Sequence, residues 1–175
     1  PTLYHELIDS PHFKMEKVSS CHKLGFAGAP MTDGLLKKIK KNFSASQLIN
    51  HYGSSEIYTF TIEPNALDKP GCAGKAGINQ NIRVIKINSN NINDKTKENE
   101  EGEIIAYIRN DEAFKGYLNR PDADQASIIN DWYFTKDTGY FDQNGDLFVT
   151  GRVDDMIITG GENVFPIEIE NVISL

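Results

Sequence analysis

The chain has 175 residues, of which 39% are hydrophobic, and its formal net charge at pH 7 is −7. This is enough apolar material for one hydrophobic core and part of a second. The negative charge, without any cluster of Lys and Arg, argues against a nucleic-acid partner, because concentrated positive charge drives binding to the phosphate backbone. Any anionic cofactor must therefore be held by a few local groups.

The two cysteines and the hydropathy pattern favour a cytoplasmic protein. Cys21 and Cys72 lie far apart, without a Cys-x-x-Cys pattern or a neighbouring pair of His, so neither a disulfide framework nor a zinc site is indicated. No apolar stretch approaches the roughly 20 residues that cross a bilayer. No signal-peptide pattern is recognised at the first residues. We therefore expect no membrane span.

Hydrophobic periodicity predicts an α/β fold in which helices and strands are mixed. Apolar residues at positions 3, 4, 7 and 8 predict a first helix. A second amphipathic helix is predicted over residues 32–43, with its lysines facing solvent. Runs rich in β-branched residues predict five strands. They cover residues 47–52, 56–62, 82–87, 102–109 and 156–159.

The segments between these elements read as turns and loops. Residues 88–101 are polar and predict a long exposed loop. Residues 70–77 are interpreted as a connector between strands rather than a phosphate-binding loop, because Lys75 is not followed by Ser or Thr. Residues 140–150 predict a hairpin around Asn144-Gly145, since a calcium loop would need a later Gly and a closing Glu.

The segment 151–170 carries the most specific pattern. Arg152 and two Asp at a strand end are followed by a short β-branched strand, a Gly-Gly loop and a helix that Pro166 opens. This order indicates a charged hinge followed by a flexible finger. It resembles the hinge and mobile loop of the adenylate-forming superfamily, specifically the AMP-forming acyl-CoA synthetases that activate aryl and other small carboxylic acids. The resemblance extends over nearly the whole chain in the expected order.

A second motif reads His-Tyr-Gly-Ser-Ser-Glu and begins at His51. Alone it indicates only a tight turn at Gly53. It resembles the family's Tyr-Gly-x-Thr-Glu segment, which implies that Tyr52 stacks on adenine and that Ser55 contacts the α-phosphate. The resemblance also implies that Glu56 binds Mg²⁺, a hard cation that prefers oxygen ligands. Ser55 replaces the usual Thr and keeps its hydroxyl without the methyl group.

A third motif, Gly28-Ala29-Pro30, resembles the family's Gly-Gly-Ala-Pro segment. Small residues there imply that the backbone approaches the adenine and the acyl group. Ala27 stands where the family usually has Gly. Alone, this segment indicates only a turn between a strand and a helix. Residues 116–121 match a further family segment that is largely architectural, and we assign it no catalytic role.

Asp137 lies in a stretch that resembles the family's Trp-Tyr/Phe-x-Thr-Gly-Asp motif, with Lys136 where Gly is common. A carboxylate can accept hydrogen bonds from both hydroxyls of a ribose, and the resemblance implies this role for Asp137. The alternative is an exposed loop Asp. By the same resemblance, Arg152 contacts ribose and phosphate, and Asp154 marks the hinge.

The resemblance implies a division of the chain into two parts. Residues 1–153 would form the distal portion of a large AMP-binding N-terminal domain, with a strand-rich subdomain over about 102–153. Residues 154–175 would form the hinge and the first strand and helix of a mobile C-terminal domain. Gly160 and Gly161 would then line the passage for the pantetheine arm of coenzyme A.

The implied reaction has two steps: a carboxylic acid and ATP give an acyl-adenylate, and a thiol then displaces AMP. The implied cofactors are ATP/AMP, Mg²⁺ and coenzyme A. The family's phosphate loop is expected before residue 1 and its catalytic Lys beyond residue 175, so we expect this stretch to be inactive without the remaining N- and C-terminal parts of the enzyme. A homodimer is left open. The alternatives are an adenylation domain that loads an acyl-carrier protein and a catalytically silent nucleotide-binding or interaction module.

Overall fold

The computed structural model of the chain describes residues 1–160 and 162–173. These residues form four α-helices, numbered α1 to α4 in chain order: Thr2–Ile8, Asp33–Asn42, Pro121–Ser127 and Pro166–Ile173. They also form eleven strands, numbered β1 to β11: Lys23–Ala27, Gln47–Tyr52, Thr61–Glu63, Cys72–Ala76, Ile82–Ile85, Gly102–Tyr107, Ile128–Ile129, Trp132–Phe141, Leu147–Arg152, Ile157–Thr159 and Glu162–Val164. None of the helices in this described part is long and apolar enough to cross a membrane.

Nine of the described strands form one mixed sheet in the order β1-β2-β3-β4-β9-β8-β6-β5, with β7 paired to β8. β1 and β2 are parallel, and every other neighbouring pair is antiparallel. β10 and β11 form a separate antiparallel pair; the sequence predicts the first of these two strands but not the second. Helices combined with a mixed sheet confirm the predicted α/β fold.

The βαβ unit formed by β1, α2 and β2 follows the sequence closely. Thr32 caps α2, because its hydroxyl accepts a hydrogen bond from the N–H of Leu35 at 3.4 Å. The apolar face of α2 packs against Phe26 of β1 and Leu48 of β2, and its lysines are exposed. A helical crossover is the usual way to join two parallel neighbouring strands. The predicted second helix is therefore confirmed.

The predicted strand over residues 56–62 is wrong for most of its length, because only Thr61 and Ile62 join a strand, β3. The Ser54 hydroxyl accepts hydrogen bonds from the N–H groups of Glu56 at 3.2 Å and Ile57 at 3.3 Å. Such local bonds compete with a sheet ladder. The carbonyl of Glu56 instead accepts from the N–H of Phe114 at 2.7 Å.

The interpretation of residues 70–77 as a connector is also wrong, because five of them form β4. Gly74 has φ +84°, and a Cβ at this position would lie 2.0 Å from the carbonyl oxygen of Ile62. A glycine inside a strand often marks such a close approach of two backbones. Gly74 therefore serves sheet packing. The loop over 88–101 and the hairpin around Asn144-Gly145 are confirmed.

A bulge interrupts the pairing of β8 with β6, where residues 135–137 lie opposite Ile104. The Thr135 hydroxyl donates to the carbonyl oxygen of Ile104 at 2.7 Å and accepts from the N–H of Asp137 at 3.0 Å. Lys136 has φ +63°, a left-handed conformation that favours Gly. A glycine would adopt this conformation without strain. The bulge determines the direction in which Asp137 leaves the strand.

Two buried carboxylates share one cation at the edge of the hairpin. The Lys69 ammonium lies 2.6 Å from Asp146 Oδ2 and 3.6 Å from Glu63 Oε2, and both carboxylate side chains are 4% exposed. Glu63, Asp146 and Cys72 together offer three groups of the kind that bind metals. However, Lys69 already supplies the positive charge, and burial raises the pKa of the Cys72 thiol to about 12. Cys21 and Cys72 are both free thiols.

We expect Lys69→Met to lower the thermal unfolding midpoint by roughly 3 °C or more, because it leaves two buried carboxylates without a counter-charge. The matched control is Lys86→Met, which removes the lysine of an exposed pair with Asp94 (side chains 58% and 37% exposed). An exposed pair contributes little, so the control midpoint should change by about 1 °C or less. Equal shifts of the unfolding midpoint for the two variants in differential scanning calorimetry would contradict this account.

We expect Lys136→Val to be less stable to unfolding than Lys136→Gly by about 1–2 kcal/mol, because a β-branched residue is strained at positive φ. Both variants remove the ammonium that lies 3.7 Å from the buried carboxylate of Glu103, so this loss cancels in the comparison. The control is the same pair of substitutions at Lys75, an exposed residue of β4 without positive φ, where Val should be the more stable of the two. Urea unfolding of the four variants measures these differences, and a Lys136→Val variant as stable as Lys136→Gly would contradict the left-handed assignment.

Candidate active site

Two side chains, those of Tyr52 and Arg152, converge on Asp137. The Tyr52 hydroxyl donates to Asp137 Oδ2 at 2.7 Å, although the two residues are 85 positions apart. The Arg152 guanidinium donates to Asp137 Oδ1 at 2.9 Å. Arg152 reaches this position because it pairs with Asp137 in the register of β8 and β9. The structure therefore brings together three of the residues that the sequence predicts for one nucleotide site.

The protonation of this group follows from its environment. Burial raises the pKa of Asp137, although the hydrogen bond from Tyr52 and the charge of Arg152 act in the opposite direction. Burial, followed by the charge of Asp137, raises the pKa of Tyr52 well above its usual value, so Tyr52 remains a neutral donor. The Arg152 side chain is 51% exposed and that of Asp137 only 17%. A ligand can therefore reach the guanidinium from solvent.

Glu56 lies close enough for its charge to raise the pKa of Asp137 further. Its own environment differs. Burial alone would raise the pKa of Glu56, but hydrogen bonds, first of all from Tyr117 and Ser54, lower it overall. The Tyr117 hydroxyl donates to Glu56 Oε1 at 2.7 Å. An ionised carboxylate of this kind fits Mg²⁺, which often takes only one or two protein carboxylates beside phosphate oxygens and water.

Three residues of the same motif as Glu56 lie in different environments. Gly53 is required sterically, because a Cβ there would lie 1.9 Å from the carbonyl oxygen of Tyr58. Ser55 is exposed, so its hydroxyl can reach a ligand. The Nε2 atom of His51 lies 3.0 Å from the Thr59 hydroxyl.

The predicted loop Gly28, Ala29 and Pro30 follows β1, and all three residues are exposed. Gly28 has φ +79°. His51 pairs with Ala27, the last residue of β1, so the loop and the His51 motif lie at the same carboxyl end of the parallel pair. Ligand sites of open α/β sheets commonly lie at this end of the strands.

The predicted hinge and finger lie beyond β9. Asp154 lies in an exposed 3-10 turn, Val153–Asp155. Gly160 has φ +61° and belongs to the turn between β10 and β11, whereas Gly161 lies outside the described residues. Phe165 follows β11 and is 1% exposed. Its ring packs on Gly151 of β9, where a Cβ would lie 2.7 Å from the ring.

Tyr117 is the site residue that the sequence analysis misses. It lies in the segment to which we assign no catalytic role, 61 positions from Glu56. No spacing or periodicity connects the two residues. The only local signal is the preceding Gly116, whose φ of +134° is a conformation that other residues rarely adopt.

In sequence, the chain is similar to the enzymes of one family. A sequence profile of the family described as AMP-binding enzyme matches residues 1–118. The 4-chlorobenzoate–CoA ligase of an Arthrobacter species is 33% identical over 174 residues, which are 99% of this chain and 33% of the relative. The 2-succinylbenzoate–CoA ligase of Oceanobacillus iheyensis is 39% identical over 158 residues, which are 87% of this chain and 30% of the relative.

Solved structures show the same fold. The ATP-bound MatB of Rhodopseudomonas palustris has a TM-score of 0.81 at 28% identity and covers 97% of this chain and 33% of its own. The o-succinylbenzoate coenzyme A synthetase of Bacillus subtilis, in complex with ATP and magnesium ion, has a TM-score of 0.73 at 28% identity and covers 98% of this chain and 34% of its own. The chain thus spans about a third of the length of the curated relatives it matches. The matched profile and these relatives show that the chain belongs to the AMP-binding enzyme family.

Proposed function

We propose that this chain forms much of the nucleotide-binding part of an ATP-dependent carboxylic acid–CoA ligase. The observation that carries the proposal is the convergence of Tyr52 and Arg152 on Asp137. The Asp137 carboxylate is shielded from water and lies beside Tyr52, a neutral donor, and the exposed guanidinium of Arg152. This arrangement is suited to a ribose 5′-phosphate. The relatives support the proposal, because their names describe CoA ligases.

In the proposed first step, a carboxylate oxygen of the acid attacks the α-phosphorus of ATP and the bond to pyrophosphate breaks. Asp137 accepts hydrogen bonds from the ribose hydroxyls, and Tyr52 offers a ring face to adenine. Arg152 contacts ribose and phosphate, and the Ser55 hydroxyl contacts the α-phosphate. Glu56 would hold Mg²⁺, which neutralises phosphate charge when it is bound. In the second step, a thiol sulfur attacks the acyl carbonyl carbon and AMP leaves.

The segment after β9 has a separate proposed role. Asp154 acts as the hinge about which the C-terminal domain rotates between the two steps. Residues 1–153 and 154–175 then belong to different domains of the complete enzyme. Gly160 and Gly161 then line the path of the pantetheine arm, and the loop 28–30 with His51 borders the adenine and the acyl group. The similar structures that hold ATP, or ATP with magnesium ion, support the nucleotide and the metal; coenzyme A is supported by the relatives' names alone.

Two alternatives remain, and they predict different behaviour. An adenylation domain that loads an acyl-carrier protein would form the adenylate but would not accept free coenzyme A. A catalytically silent module would bind nucleotide without any adenylate formation. The relatives include ligases for chlorobenzoate, succinylbenzoate and long-chain fatty acids, so the acid is proposed only as a small-molecule carboxylic acid. The cytoplasmic location and the homodimer stay predictions.

We expect Asp137→Asn in the complete protein to weaken AMP binding by about 10- to 100-fold, because an amide replaces charge-assisted acceptors of the ribose hydroxyls. The control is Asp131→Asn, which alters an exposed carboxylate paired with Arg109 at 2.9 Å. Asp131 has φ +65°, a conformation that Asn also tolerates. Titration calorimetry with AMP measures both affinities. Equal affinities for the two variants would refute the proposed role of Asp137.

We expect the 175-residue chain alone to show no carboxylate-dependent exchange of pyrophosphate into ATP, whereas the complete protein shows it. The groups that we assign to this chain bind the adenosine and one metal, and the family's phosphate loop and catalytic Lys are expected elsewhere. The assay uses a panel of aryl and aliphatic acids with both proteins side by side. Pyrophosphate exchange by the isolated chain with any acid would refute the expectation that groups outside this chain are required for adenylation.

A further inference from the structure

We propose that Tyr117 is a positioning residue that fixes the direction of the Glu56 carboxylate toward the metal; this inference rests on the proposed function. The Tyr117 hydroxyl donates to Glu56 Oε1 at 2.7 Å. A carboxylate with one oxygen held by a fixed donor presents its other oxygen in a defined direction. Residues that orient metal ligands in this way commonly affect metal affinity almost as much as the ligands themselves.

The segment that carries Tyr117 holds Glu56 at two points. Besides the side-chain bond, the N–H of Phe114 donates to the carbonyl oxygen of Glu56 at 2.7 Å. The Phe114 ring makes edge contacts with Tyr117, at a centroid distance of 4.9 Å, and with Tyr133, at 5.9 Å. Tyr133 is buried in the core cluster that also contains Ile57, the neighbour of Glu56. Main chain and side chain of Glu56 are therefore fixed relative to the same aromatic group.

The backbone of Tyr117 is itself fixed. Its N–H donates to Asp124 Oδ1 at 2.8 Å, and Asp124 lies in the first turn of α3. Gly116 has φ +134°, and a Cβ there would lie 2.7 Å from Asp124 Oδ2. Any other residue at Gly116 would therefore disturb the approach of Asp124. A donor with so little freedom can define the geometry of its acceptor.

A purely structural role for this hydrogen bond is less consistent with the exposure of the pair. Glu56 and Tyr117 are both only partly buried, so water can reach them, and a carboxylate in contact with water does not require a protein donor to remain stable. The protein nevertheless supplies a short hydrogen bond from Tyr117, whose backbone is itself fixed by Asp124. The arrangement favours control of direction over simple satisfaction of a buried polar group.

The test is a comparison of ATP and AMP binding by the complete protein, measured by titration calorimetry with excess Mg²⁺ and with EDTA. Tyr117→Phe keeps the ring and removes the hydroxyl. We expect it to reduce the gain in ATP affinity that Mg²⁺ provides by about 10-fold, with AMP binding in EDTA unchanged within about twofold. The matched control is Tyr140→Phe, whose ring stacks on Phe148 at 5.3 Å; this variant should retain the full gain.

Glu56→Gln serves as the reference and should abolish the gain from Mg²⁺. If Tyr117→Phe weakens ATP binding equally with Mg²⁺ and EDTA, or retains the full gain, the positioning role is refuted while the proposed function stands. If Glu56→Gln retains the gain, Glu56 is not the metal ligand and the inference fails with that assignment. If the wild type binds neither ATP nor AMP, the proposed function itself is refuted.

Discussion

The bulge in β8 is the constraint on which the candidate site depends. Its three residues occupy the space opposite one residue of β6, and the Thr135 hydroxyl replaces the missing main-chain partners. This local departure from a regular ladder aims Asp137 at Tyr52, and the register with β9 then places Arg152 beside it. Bulges often re-aim a side chain next to a functional site, and here the Thr135 hydroxyl bonds and the positive φ of Lys136 accompany the change of direction.

The sequence predicted the elements that depend on local patterns. The amphipathic helix α2, strand β2 and the hairpin between β8 and β9 all follow from periodicity, capping or turn residues within a few positions. The errors lie where distant atoms decide the conformation. Glu56 and Ile57 pair with the segment around Phe114, and Gly74 packs against the backbone of Ile62. Neither contact leaves a signal in the local sequence.

The candidate site was predictable from motifs only in part. The resemblance named Tyr52, Asp137 and Arg152, and the structure places them in contact; their roles toward a nucleotide stay predictions. Tyr117 could not be found in this way, because its partner is 61 residues away and its own motif is explained by packing. A residue that acts by orienting another, distant residue has no characteristic sequence spacing from it. Such a residue can therefore be identified only from the structure.

Two carboxylates of the site lie in environments with opposite effects on their pKa values, which are lowered for Glu56 and raised for Asp137. Hydrogen bonds hold Glu56 in the ionised form that a cation requires, whereas Asp137 depends on its partners to offset burial. An acidic chain can accommodate a polyphosphate near these groups only if positive charge is brought in. Arg152 supplies one such charge, and a metal at Glu56 would supply the other.

The packing of Phe165 on Gly151 limits how the segment after β9 can move. One aromatic ring, almost completely shielded from solvent, fastens that segment to the large sheet at a position where only a hydrogen atom leaves room for it. A swing of the trailing segment would have to turn about this anchor or extract it. Extraction would transfer a phenyl group into water at a cost of about 1.5–3 kcal/mol. Rotation with the ring still in place is therefore the less costly motion, and an axis through the proposed hinge at Asp154 would have to pass close to Phe165.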